Sequence, residues 1–263
     1  MSSGQREKSS RQRHSGDDAV LPFRTVRSGV EGRIVRLASV ADTIIGGHAY
    51  PEPVSRVLGE AMALTAMLGT VLKPGGRLIL EARSDGTLRS LAVNLETFEP
   101  DGGGPRMGRL RGYAGFDATA AAVHTGAKGE GGLLGQGHLA LTIEPGAGRD
   151  SYQGVAALDG GTLSDAARAY FRQSEQIPTF IRLAVAREMS PAAGTAEPKW
   201  RWRVGGLMIQ HLAAEGFDDS GVGTTDADDA GTASVLEDRE PEEAWRRARL
   251  LAATVEDQEM LDP

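Results

Sequence analysis

Tyr50–Gly86 reads YPEPVSRVLGEAMALTAMLGTVLKPGGRLILEARSDG, and its first half decides the fold. Pro51 and Pro53 mark a helix start, because proline suits a first turn whose backbone N–H groups have no intrahelical partner. From Val54 to Leu72 the apolar positions (Val54, Val57, Leu58, Ala61, Met62, Leu64, Met67, Leu68, Val71, Leu72) run all the way round a helix. After Glu60 no charge occurs until Lys73. A helix that is apolar on every side is buried on every side. With Arg56 and Glu60 near its start, this stretch is expected to be a core helix and not a membrane span. Met62 and Met67 are read as core packing in preference to a pliable ligand site. Lys73-Pro74-Gly75-Gly76 stops the helix.

Strand patterns flank it on both sides. Upstream, LPFRTV and GRIVRLASV are short, β-branched runs joined near Ser28-Gly29, a strand pair. Downstream, RLILEAR, LRSLAVNL and GRLRGYA alternate apolar and polar residues, and Ser84-Asp85-Gly86 is a hairpin signal. HLALTIEP, YQGVAALD and TFIRLAVAR are further strands. Between them TLSDAARAYFRQSEQ is helical, with Thr162 or Ser164 as N-cap and Ile177-Pro178 as its end. WRWRVGGLMIQHL reads as a late edge strand broken at Gly205-Gly206 by a bulge or a close backbone approach. Trp200 and Trp202 fall on one face of it and Arg201 and Arg203 on the other. Such a strip can stack single-stranded nucleic acid. With little other positive charge nearby, an edge strand packing its tryptophans is the preferred reading. The last stretch, EEAWRRARLLAATVEDQEMLDP, is helical, with Trp245, Ala248, Leu250 and Leu251 at compatible spacing.

The 263 residues contain no cysteine, so they hold no disulfide, thiol nucleophile, iron–sulfur cluster or thiolate zinc site. Five dispersed histidines (His14, His48, His124, His138, His211) form no metal-ligand spacing, and no metal or cofactor is expected in this chain. Residues 1–19 have no apolar core for a secretory signal; four Lys/Arg face three acids, a disordered tail in composition. The net charge of −7 is local: six acids and no Lys or Arg lie between Glu215 and Gly231, leaving −1 for the rest. That segment lacks the frame of a calcium loop and reads as a solvated linker. The glycine-rich stretch Thr125–Gly137 has neither a Gly-Lys-Ser/Thr nor a following helix, so it is a loop into a strand, not a phosphate cradle. A cytoplasmic protein is expected.

No catalytic constellation emerges. There is no GxSxG and no ordered Ser/His/Asp signature. Glu175 in QSEQ is the most tempting acid, and an enzyme with an acid-dependent pocket involving Glu175 or His138 is the rival reading. Nucleic-acid binding by the basic tail and the Trp/Arg strand is a third.

Six ordered blocks resemble one family: Tyr50–Gly86, LRGYA (Leu110–Ala114), GHLALTIEP (Gly137–Pro145), YQGVAAL (Tyr152–Leu158), YFRQSEQIPT (Tyr170–Thr179) and GGLMIQ (Gly205–Gln210). They resemble heat shock protein 33, the redox-regulated holdase also called the 33 kDa chaperonin. Ala244–Pro263 looks like that family's helical region beyond an acidic insertion. The resemblance implies an α+β chaperone domain, layered β/α/β, with Val54–Leu72 buried between the sheets. It divides the chain into a tail (1–19), a chaperone core (20–213), an acidic linker (214–239) and a helical linker segment (240–263). Family members end in a zinc module with a Cys-x-Cys and a Cys-x-x-Cys, whose thiolates release zinc and form disulfides on oxidation. This chain stops at Pro263 with none of those ligands, so no zinc or disulfide residue carries over; a truncated member is expected over a natural cysteine-free relative. The implied function is an ATP-independent holdase, a homodimer that binds unfolded clients through apolar surface without catalysis. No client-binding residue can be named from the sequence.

Overall fold

The computed structural model describes residues 17–25, 29–100, 107–121, 131–146, 150–190, 198–211 and 239–262. Its longest buried element, α2, is Glu52–Leu68, with Pro51 as N-cap and a 3-10 turn, Gly69–Val71, at its end. Every residue from Val57 to Met67 is buried. The stretch Glu52–Val71 is apolar and long enough to cross a membrane, but 78% of its most apolar 18 residues are buried inside the protein. Its apolar circumference is used up on two sheets, as a helix with no polar face requires.

Sheet A holds β1 (Ala19–Arg24), β2 (Val30–Leu37), β8 (Thr179–Ser190) and β9 (Lys199–His211) in the order β1-β2-β9-β8. Sheet B holds β3 (Arg77–Ser84), β4 (Leu88–Phe98), β5 (Met107–Phe116), β6 (Gln136–Glu144) and β7 (Tyr152–Asp159) in the order β5-β4-β3-β6-β7. All pairs are antiparallel. α2 packs on β2, β8 and β9 of one sheet and on β3, β4 and β5 of the other, the layered α+β arrangement expected. A Cβ at Gly59 would stand 2.9 Å from the methyls of Val185 and Val204, so glycine is what lets α2 lie close on sheet A.

Three sequence expectations change. β9 is not an edge strand but lies between β2 and β8. Nor is it broken: the register runs through Arg36↔Gly205 and Val35↔Gly206 on one side and Ala184↔Gly205 and Leu183↔Gly206 on the other. What survives is the close backbone approach, since a Cβ on Gly205 would sit 2.4 Å from the carbonyl oxygen of Met260. Finally, Ser39–Gly46 is a helix, α1, so the strand expected to run through Val40 in GRIVRLASV ends at Leu37. Asp18 accepts from the backbone N–H of Ala38 (2.7 Å) at its start, and Asp42 accepts from that of Trp202 (3.0 Å).

Helix α3 (Leu163–Tyr170) is capped by Thr162, not Ser164, in a box with Asp165. The Thr162 hydroxyl, followed by the Thr162 N–H and Arg168, holds the Asp165 carboxyl below its ordinary range, although partial burial opposes this. α3 runs into a wider π turn, Phe171–Glu175, that ends at Gln176 in the left-handed region (φ 56°). At the C-terminal end, α4 (Arg239–Thr254) and α5 (Asp257–Leu261) pack on sheet A opposite α2. Trp245, Ala248 and Ala252 face the sheet. Leu250 and Leu251, which fit the same helical spacing, point away from the sheet, 60% and 64% exposed. The tail to residue 16 and the acidic segment 212–238 lie outside the described residues, as does most of the glycine-rich stretch.

Candidate functional site

The outer face of sheet A carries an apolar surface built by the strand alternation of β2, β8 and β9. Val30, Ala184, Leu207 and Ile209 are buried there, with Ile34 and Phe180 packed beside them. Odd-numbered residues of β9 face this side and even-numbered ones face α2, so one strand supplies two cores. The surface is closed by Ala252 of α4 and Met260 of α5, with Val255 and Leu261 alongside. Trp245 stacks on His211 at 5.9 Å.

Polar ties at the rim are few. Arg182 donates to Asp257 Oδ1 (3.0 Å) and to the carbonyl of Ala253 (3.0 Å), and Arg36 donates to the carbonyl of Glu259 (3.2 Å). Asp257 is 64% exposed, so its ion pair with Arg182 is worth roughly 0–1 kcal/mol. The site is therefore an apolar sheet face under a short, lightly tied helical cover.

The acids and bases singled out in the sequence are not brought together. Glu175 accepts from the Tyr170 hydroxyl at 2.8 Å and lies 3.5 Å from that of Tyr152. Burial, and next the Glu175 carboxylate, push the Tyr170 phenol far above its ordinary pKa. His138 is opposite Ala157 on β7, five residues from Tyr152, or about 17 Å along the strand. Among the described residues no group of three His, Asp or Glu gathers that could hold a metal ion. The thiolate zinc site implied by the resemblance finds no ligand among 263 residues without cysteine.

Nor does the Trp/Arg strip form an open ladder. Arg187 lies over both Trp200 (5.5 Å) and Trp202 (5.7 Å), and Trp202 packs against the core. Arg203 is engaged by Glu188 (2.6 Å) and Asp17 (3.6 Å). Burial works against its charge, but those two carboxylates together hold its pKa above the usual value.

Sequence reading missed the outer face of sheet A as a site. Its signal was present: TFIRLAVAR and RVGGLMIQH are apolar at consecutive positions, as strands covered on both faces are.

The fold and the site together define an α+β protein with two antiparallel sheets around a buried helix and a second apolar sheet face under a helical cover. The Hsp33 protein family matches residues 18–262, and the chain belongs to that family. The chain is 38% identical over 253 residues to the 33 kDa chaperonin of Caulobacter vibrioides, covering 94% of this chain and 71% of that protein. It is 33% identical over 234 residues to the 33 kDa chaperonin of Pseudomonas savastanoi pv. phaseolicola, covering 89% of this chain and 63% of that protein. The crystal structure of the Thermotoga maritima 33 kDa chaperonin superposes with a TM-score of 0.53 at 20% identity, over 74% of this chain and 61% of that one. That likeness concerns the fold.

Proposed function

We infer that this chain is an ATP-independent holdase of the cytoplasm that binds unfolded proteins on the outer face of sheet A and catalyses no reaction. The observation that carries the reading is the apolar surface of Val30, Ala184, Leu207 and Ile209 beneath α4 and α5. A client segment needs exposed apolar area, and a protein that shows such area permanently aggregates. A cover that opens and closes meets both needs. α5 has five residues and is too short to be a stable helix alone, so it is ordered only while docked. Local opening of such an element costs less than global unfolding. The reading requires no cofactor, and by family it includes a homodimer.

Redox control of the cover would need thiols, and the 263 residues contain none. The chain should therefore suppress aggregation of a thermally unfolding client to the same extent with dithiothreitol and with peroxide, as read by light scattering. Suppression that appears only after peroxide would overturn this, because methionine oxidation is the one sulfur chemistry left.

A further inference from the structure

Between α3 and α4 lies a groove of about 820 Å3 whose chemistry the holdase reading leaves unused. Arg168 and Arg172 line one wall, and Trp245 and Arg249 of α4 the other. Arg168 is paired with Asp165. Arg172 and Arg249 are exposed, and neither has a hydrogen-bond or ion-pair partner among the described residues. Two carboxylates also line the groove, Asp159 and Asp165. The Asp165 oxygens are taken by Thr162 and Arg168, leaving Asp159 at the end of β7 as the one acid that would repel an anion.

The backbone here is unusual as well. The π turn and the left-handed Gln176, the one non-glycine residue with positive φ among those described, place Arg172 and Gln176 on the groove. Glu175, between them, is turned to Tyr170 and Tyr152, which fixes the turn. Strained backbone of this kind gathers at ligand sites.

We propose that the groove binds a small phosphate-bearing anion between Arg172 and Arg249, with the Gln176 amide as a further donor. Guanidinium groups present paired N–H donors that match phosphate oxygens. Arg172 belongs to the core and Arg249 to the cover, so the bound anion ties α4 down. That consequence, though not the binding itself, rests on the holdase reading.

Calorimetric titration of the full 263-residue chain with inorganic pyrophosphate tests the site. Saturable binding is expected, weakened roughly tenfold by Arg172→Gln and again by Arg249→Gln, the change that a lost charge-assisted hydrogen bond makes in a binding constant. Pyrophosphate should also slow amide exchange in α4 of the unsubstituted chain but not of the Arg172→Gln variant. Adenosine diphosphate run in parallel distinguishes a nucleotide from free phosphate; either one, if it depends on both arginines, supports the site. Absence of saturable binding, or binding untouched by both substitutions, overturns the proposal. So does binding that is lost instead on replacing Arg6, Arg11 and Arg13 by glutamine. Both groove arginines are exposed and have no partner among the described residues, so the variants should melt with the parent chain. No client is present in the titration; its failure leaves the holdase reading standing, and the converse holds.

Discussion

Sheet A carries helices on both faces, and they are held in opposite ways. On the inner face α2 is buried without interruption from Val57 to Met67 and has sheet B behind it. On the outer face, among the described side chains of α4 and α5, Ala252 and Met260 are buried, whereas Leu250 and Leu251 stand in solvent behind them. Burying a large aliphatic side chain contributes about 1.5–3 kcal/mol, so the inner interface sums many such terms and the outer one few. Ordering backbone costs about 1–2 kcal/mol per residue, and among the described side chains of α4 and α5 Ala252 and Met260 are the buried ones that offset it. One sheet thus joins a helix buried along its length to a pair of helices that bury few of their own side chains.

The largest effect expected from this contrast is on the inner face. Leu58 is fully buried, and its side chain lies against Gly112 of β5. Leu58→Ala removes apolar area and leaves a cavity, costing about 2–5 kcal/mol in urea unfolding. A cost near zero would mean that α2 is not the shared core of both sheets.

On the outer face the same scale of chemical change should act differently. Gly205→Val puts a side chain where the carbonyl of Met260 lies, 2.4 Å from the new Cβ, and so displaces α5. β9 tolerates valine well, since its pairing through Gly205 is regular. Binding of a hydrophobic dye and suppression of client aggregation should rise several-fold, while the main thermal transition moves far less than for Leu58→Ala. Equal losses of stability in the two variants, with no gain in dye binding, would show that cover and core form one cooperative unit.

The contrast also explains what could be read from the sequence. α2 was legible because twelve consecutive positions after Glu60 carry no charge, a local pattern that admits one physical outcome. The place of β9 was not legible, because pairing with β2 is a contact between residues about 170 positions apart and leaves no local mark. Gly205-Gly206 looked like a break for the same reason: glycine weakens a strand in isolation, and its use here depends on Met260, which arrives from a distant helix. In α4 the apolar stripe is divided. Trp245, Ala248 and Ala252 follow the i, i+3, i+7 spacing toward the sheet, whereas Leu250 and Leu251, equally compatible with a helix, stand exposed, and the spacing alone assigned no face. Of the candidate site, the blocks YFRQSEQIPT and GGLMIQ were recognisable as strings, while the groove and the covered face they build were not.

The smallest effect concerns the α3 cap, whose Thr162 and Asp165 line the groove. The Asp165 carboxyl is held below its ordinary value of 3.8, chiefly by the Thr162 hydroxyl. A carboxylate with a depressed folded-state pKa contributes stability that is present above its unfolded pKa and is lost as pH falls through the folded one. Asp165→Asn should therefore lower the urea midpoint slightly at pH 7, and the gap to the parent chain should persist down to about pH 4 and close below it. Because the Asp165 side chain is 52% exposed, solvent screening keeps the difference small, well below that for Gly205→Val. A gap that stays constant through pH 3 would assign the effect to the shape of the capping box and not to the charge on Asp165.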